Sequence, residues 1–417
     1  MSFPPDDYTP YGYLDLPTHT RNLRPLGVVR SFDIGFRWHV PAYAGSYGGR
    51  RETYRAGVRV ALDGALDIAS LSQATSPYHS RNIMAFQIER GNARATIEWM
   101  VVGEHALRAT IVTRHATRVS LHAEYTRLLS ANGEWGEAGL VGRIENEMLV
   151  LQGFEDGDAF VLWASHSATD LGITDNRQEA MGWASSAAPG PPADGFKTVL
   201  GERDDLVTLY GVYGFDQPGD TTIEMILARG KTVAEARARL DDARRAAGTE
   251  RARKQTEDEA FWASAPQLTG DWPAHWRRGL VYDLETIRMM VKAPTGIYRH
   301  PWDAMQIQAP RVVLAEAAMD ALVLGYVDPH VAQDMMYGVF ADAPAPNVPC
   351  SREDGSFNMI AADGTVCGTA PEWGYPWLVL ERLYALHPNP AWLARVYPRL
   401  AEHLDWWTTH RLSLIHI

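Results

Sequence analysis

Two stretches in the second half of the chain combine residue types that can do chemistry. The first, "GIYRHPWDAMQIQAPR", carries Arg299, His300, Trp302, Asp303, Gln306 and Arg311. The second, "NVPCSREDGSFNMIAADGTVCGTAPEWGYPW", carries Arg352, Glu353, Asp354, Asn358, Glu372 and Trp373 between and beyond Cys350 and Cys367. Each sets an aromatic wall beside carboxylates, a guanidinium and amides. That set suits a polyhydroxylated ring: its C–H face stacks on indole, and its hydroxyls take hydrogen bonds from Asp, Glu, Arg and Asn. Tryptophan use leans the same way, because nine of the fourteen Trp lie from Trp262 onward.

Plainer roles compete with these. Asp303 could cap the helix that follows, and Trp302 could be a core aromatic. Arg352, Glu353 and Asp354 read equally as a solvated charge cluster, and Glu372 as a first-turn carboxylate on a helix dipole. Trp373 and Trp377, four apart, suit a helix core. His300 has no second histidine at ligand spacing, so no metal site and no cofactor are expected. Neither a glycine-rich phosphate loop nor a nucleophile elbow is present.

A net charge of -12 argues against nucleic-acid or anionic-membrane partners, which require a basic face. No apolar run has the length of a transmembrane helix, and the N-terminus lacks a basic region followed by an apolar one. The expectation is a cytoplasmic chain, with Cys350 and Cys367 as small buried thiols; in an exported protein they would read as a disulfide.

The elements that must position these loops come in two kinds. Residues 1–229 hold short alternating runs such as "RAGVRVAL", "ARATIEWMVV" and "TTIEMILARG", separated by Gly, Asn and Asp. Period-two alternation without intervening helices predicts an antiparallel β-sandwich. Residues 230–270 are rich in Ala, Arg and Glu and predict a solvated linker helix or helix pair. From 271 to 411 five helical segments follow, several of them apolar over more than one face, as in "VVLAEAAMDALVLGY". Such helices are expected to be buried from two sides. Asn389 and Pro390 signal the last start, and Pro398 predicts a kink or a second start.

The stretch "HPWDAMQ", after "WRRGLVYDLETIR", resembles the clan of inverting glycosidases built on an (α/α)6 barrel. "GYVDPHVAQDMMYGVF" is similar to the helix that follows the Trp-Asp pair in glycoside hydrolase family 63, with the trehalases more distant. The order of sandwich, linker and helices is also similar. The loop around Cys350 and Cys367 departs from family 63 and leaves room for β-L-arabinofuranosidases or α-L-rhamnosidases. The resemblance implies that Trp302 and Asp303 hold the sugar beside the cleavage point, with Glu372 and Trp373 opening the next inner helix. It places the general acid after a helix ending in Trp-Trp and a basic residue, and the base further on. Here "LDWWTTHR" is followed only by "LSLIHI", which one reading frame of a sequencing-adaptor end encodes. Residues 412–417 therefore read as a technical scar.

The sequence thus predicts a multidomain β + α chain: an antiparallel β-sandwich, a helical linker and the incomplete (α/α)6 barrel of an inverting glycoside hydrolase. Its ligand would be a di- or oligosaccharide or glycoconjugate, held by residues of the two loops. The catalytic pair is expected beyond the chain end, with Glu353, Asp354 and Glu372 as the in-chain fallback. A disaccharide phosphorylase of the same architecture and a non-catalytic carbohydrate-binding protein are the alternatives.

Overall fold

The alternating runs become strands because each has one apolar face to bury and one to leave wet. The structure, a computed structural model, describes residues 19–20, 26–30, 35–43, 50–66, 71–103, 105–128, 139–153, 159–185, 196–200, 206–292, 294, 296–303, 311–352, 355, 357, 368 and 374–410. Among these, the strands of the first half are β1 (His19–Thr20), β2 (Leu26–Arg30), β3 (Gly35–Tyr43), β4 (Arg50–Leu62), β5 (Gln73–His79), β6 (Ile83–Arg90), β7 (Ala93–Val102) and β8 (Ala106–Arg114). They continue as β9 (Ala116–Leu128), β10 (Gly139–Glu145), β11 (Met148–Gly153), β12 (Ala159–Ala164), β13 (Asp170–Thr174), β14 (Phe196–Leu200), β15 (Leu206–Gly219) and β16 (Thr222–Gly230). One sheet runs β1-β2-β3-β4-β9-β15-β13 and the other β14-β10-β11-β12-β16-β8-β7-β6-β5, every pair antiparallel.

Their facing sides share one core. Val58, Leu121, Tyr125 and Leu209 of the first sheet meet Phe86, Ile97, Trp99 and Phe160 of the second. The Tyr125 and Phe160 rings cross it edge to face at 5.1 Å. A helix interrupts the sandwich, which the pattern did not foretell: α1 (Arg177–Ser185) lays Ala180 and Trp183 on Val212 of β15. Its register is set by Asn176, whose Oδ1 accepts the backbone N–H of Gln178 at 2.9 Å.

The outer face of the first sheet is polar yet buried along β9, where Ser120, His122, Glu124 and Thr126 alternate with the core residues. His122 bonds Ser120 Oγ at 2.9 Å. Burial, reinforced by the guanidinium groups of Arg59 and Arg118, drives its pKa down to about 3. The unfolded imidazole takes its proton near the ordinary value of 6.5, so between those two pH values the unfolded chain binds more protons and stability falls as acid is added. His122→Asn is expected to remove about 1.4 kcal/mol of stability loss per pH unit below 6. Urea unfolding of both proteins at pH 7, 5 and 4 checks this; parallel pH profiles would show that His122 does not titrate on unfolding.

The charged 230–270 segment is one helix, α2 (Val233–Ser264), and it is not a solvated linker. Ala236, Leu240 and Ala243 recur on one face and pack on Met100, Val161 and Ile226 of the second sheet. Small alanines let the helix lie close. Gly230 allows the turn into it, since a Cβ there would sit 2.4 Å from the Ala236 backbone nitrogen. Arg251 grips Glu98 of β7 through two bonds of 2.8 and 2.9 Å.

Five helices follow: α3 (Ala274–Met290), α4 (Leu314–Leu324), α5 (Pro329–Ala341), α6 (Tyr375–Leu386) and α7 (Pro390–His410). Asp328 caps α5 by accepting Val331 N–H at 3.1 Å, with Pro329 at the first helical position. Asn389 caps α7 through Trp392 N–H at 3.1 Å, and α7 runs on through Pro398. Helix α4 packs on α5 and α6 and touches α3, while α7 packs on α5. Their core holds Ala317, Ala321, Met335, Met336, Val379 and Leu383. The expected burial of α4 from two sides is only partly met. Met319, Val323 and Tyr326 line an exposed stripe, at three- and four-residue steps, that no described element covers. Among the described residues no helix is long and apolar enough to cross a membrane.

Candidate functional site

Between α3 and α4 the chain makes a short hairpin of β17 (Val291–Lys292) and β18 (Trp302–Asp303), pairing Val291 with Asp303 and Lys292 with Trp302. Asp303 is therefore not the cap of α4: Val313 holds that position, ten residues on. The hairpin is pinned to the end of α5 by the buried Asp342 carboxylate. It accepts the backbone N–H groups of Arg299 at 2.7 Å and His300 at 3.0 Å, and binds the His300 ring at 2.8 Å. Gly338 of α5 makes room, because a Cβ there would stand 2.7 Å from that of His300.

The two sequence-predicted loops meet in space. Tyr298 donates to Ser351 O at 2.7 Å, and Val312 N–H to the same oxygen at 2.8 Å. Arg311 and Arg352 thus flank one point of contact. Arg352 is not part of a solvated cluster; it is 1% exposed and donates to Phe357 O at 3.3 Å. Gln306, Glu353, Asp354, Asn358, Glu372, Trp373, Cys367 and residues 412–417 lie outside the described residues. Cys350 is buried.

Trp302 is not an open stacking wall. Its ring is 2% exposed, lies 4.8 Å from that of Tyr298, and has the Lys292 ammonium 5.6 Å from its centroid. Asp303, next to it in the strand, is 1% exposed. The partner of Asp303 is Asp320 on α4, and a hydrogen bond joins the two carboxyl groups. Burial and the neighbouring Asp320 charge push Asp303 well above the usual carboxylate range, with Lys292 acting in the opposite sense. Burial lifts Asp320 to about 6, tempered by the bond from Asp303 and raised further by Glu316. One proton is thus held in the pair at neutral pH, because two adjacent carboxylates away from water cannot both ionise. Asp303 Oδ1 and Asp320 Oδ2 are buried and accept no N–H or hydroxyl donor. A buried carboxyl oxygen without such a donor is costly, and the proton shared by the pair offsets part of that cost.

Asp320, Lys292 and Tyr298 were missed from sequence. The available signal was Asp320 inside the apolar stretch "AAMDALVL", an acid with no reason to sit there unless it has a partner.

A second buried polar group joins the sandwich to the helices. Asp258 of α2 accepts from Ser80, from Asn82 Nδ2 at 2.7 Å and from Arg288 Nη1 of α3 at 2.7 Å. Glu285 accepts Arg81 N–H at 2.9 Å and Arg288 Nη1 at 3.1 Å. Burial, offset by Arg288 and raised further by Asp258, brings Glu285 to about 7. Beside this network a cavity of about 280 Å³ is lined by Arg81, Glu257, Phe261, Val291, Val327 and Asp328, among others. Among the described residues no group of three or more His, Cys, Asp and Glu is placed to hold a metal ion.

No protein-family model matches the sequence, and no curated protein does. Solved structures match the fold. The chain resembles a bacterial glucoamylase complexed with acarbose, with a TM-score of 0.55 at 11% identity over 96% of this chain and 60% of that one. A family GH92 α-mannosidase from Bacteroides thetaiotaomicron gives 0.40 at 11% identity, covering 86% of this chain and 50% of that chain. A further GH92 glycosyl hydrolase gives 0.40 at 12%, covering 89% and 53%. The chain spans 60% of the length of the glucoamylase.

Proposed function

We propose that this chain is the sandwich and first helical hairpins of a glycoside hydrolase with an (α/α)6 barrel, acting on a di- or oligosaccharide by inversion. In that chemistry a carboxylic acid protonates the leaving oxygen while a carboxylate on the opposite face activates water. The observation that carries the reading is the likeness of fold to a glucoamylase over 96% of the chain. The Asp303–Asp320 pair is the proposed sugar contact. A carboxylic acid held neutral both donates and accepts, as a sugar hydroxyl does. Arg311 and Arg352 sit beside the junction of the two loops as further hydroxyl donors, and Gln306, Glu353, Asp354, Asn358, Glu372 and Trp373 are proposed to complete the site. The Lys292 ammonium acts on both acids of the pair.

The test is calorimetric titration of the chain with acarbose, maltotriose and mannobiose at pH 6, followed by proton NMR of any hydrolysed product to identify the first anomer formed. Saturable binding of one of these, weakened in Asp303→Ala, is the expected result. No binding to any sugar of the panel, or binding indifferent to Asp303, would overturn the site; a retained anomer would overturn inversion.

A further inference from the structure

At the far end of α3 from the hairpin, two tryptophans stand in solvent. Trp272 and Trp276 are 41% and 53% exposed, and their rings stack on each other at 5.3 Å with 25° between planes. The pair is held, not loose. Trp272 Nε1 donates to Thr269 O at 2.7 Å, across a turn in which Gly270 takes φ +100, and Pro273 then starts the helix. Four residues apart on a helical entry, the two side chains are brought to one side of it. Each ring shields part of the other, and Trp276 keeps the larger share of its surface toward solvent. Thr269, Asp271 and Gln267, all exposed, border the pair in sequence with a hydroxyl, a carboxylate and an amide.

We propose that Trp272 and Trp276 form a surface platform that stacks on pyranose rings of a carbohydrate chain, separate from the Asp303 site. Scale favours this occupant over a protein. Two indoles at these exposures offer roughly 200 Å² of surface, against about 800 Å² per partner in a stable protein interface. That area suits one or two sugar rings, and an apolar face bordered by polar groups is what a pyranose presents in return. The rings cannot serve the hairpin directly. Fourteen helical residues lie between Trp276 and Val291, a separation of roughly 22 Å at 1.5 Å per step. The platform would hold a long chain or a polymer surface while another part of it reaches the helical loops; the choice of a sugar as ligand rests on the glycoside hydrolase reading.

The experiment is affinity electrophoresis of the whole chain in native gels cast with soluble starch, mannan or xylan, beside a gel without polysaccharide. The proteins are the wild type, Trp276→Ala, Trp272→Ala/Trp276→Ala and Tyr397→Ala. The expected result is retardation in at least one polysaccharide that falls by half or more in Trp276→Ala and falls further in the double variant, with unchanged far-ultraviolet circular dichroism. Tyr397→Ala, which removes an exposed aromatic of α7 outside both sites, should be retarded like the wild type; the Asp303 site is read separately, by calorimetric titration with short oligosaccharides. Retardation indifferent to both tryptophans, or absent in all three gels, overturns the platform. A concentration-dependent dimer in sedimentation that only the double variant loses, with no polysaccharide effect, also overturns it and assigns the pair to contact between copies. Should the double variant not fold, Trp276→Ala alone decides, since the more exposed ring contributes least to packing.

Discussion

Asp303→Ala is expected to weaken binding of the oligosaccharide by about 10- to 150-fold, the 1.5–3 kcal/mol of a hydrogen bond that involves a charged carboxyl pair. The chain should remain folded. Removing Asp303 leaves Asp320 with Lys292 nearby and relieves the crowding of two acids, so the loss of a small buried side chain is partly offset. Asp303→Asn separates the contributions. It keeps the shape and a donor toward Asp320, but it cannot lose a proton. Both acids of the pair have folded-state pKa values above the ordinary 3.8. The folded chain therefore holds extra protons above that value, and the stability this gives is complete at low pH and is lost as pH rises through about 6 and beyond. Asp303→Asn should flatten that decline, gaining on the order of 1–3 kcal/mol over the wild type at pH 8 but little at pH 4. Urea unfolding at the two pH values, beside calorimetric titration with the sugar, measures both effects. Wild-type affinity in Asp303→Ala would remove the residue from the site. An equal stability difference at both pH values would show that the pair does not share a proton.

Arg288→Met carries the largest expected cost in stability, about 3–5 kcal/mol. Arg288 stands where three parts of the chain meet: Asp258 from α2, Glu285 from its own helix, and through them the Ser80–Asn82 turn of the sandwich. Its guanidinium also covers the Phe261 ring at 4.4 Å. Methionine fills the space but leaves Asp258, fully buried, without its cation. Desolvation then works against the carboxylate, with only the Ser80 and Asn82 hydrogen bonds left to offset it. The lost bonds tie α3 to α2, which packs on the sandwich, so unfolding should change from one transition to two, the sandwich melting by itself around its own core. Circular dichroism at two wavelengths during thermal unfolding, with limited proteolysis near α3, reads this. A loss under 1 kcal/mol with one shared transition would mean that apolar packing alone joins the parts.

Much of this was legible in the order of residues. Period-two alternation over Ala93–Val102 or Thr222–Gly230 admits one solution, a strand with one face on a core, because side chains on a strand project alternately. The start of α7 was equally plain, since Asn389 before Pro390 satisfies a free N–H group locally, without help from the rest of the fold. The chemical character of 296–311 was visible too, because residue types alone say which bonds are available.

What sequence could not supply was partnership. Helix α2 was read as solvated on its charge content, yet Ala236, Leu240 and Ala243 on one face lay it on a sheet whose outer face no local pattern reveals. Asp303 was weighed as a helix cap or a ligand by its neighbours in the chain; its decisive neighbour is Asp320, seventeen positions on, brought there by the antiparallel return of the hairpin against α4. Trp302 and Arg352 lost their solvent by the same closure. A side chain's type is written in the sequence, but its pKa, its exposure and the group it must satisfy depend on which distant backbone comes to lie within a few ångströms of it, and only the tertiary structure decides that.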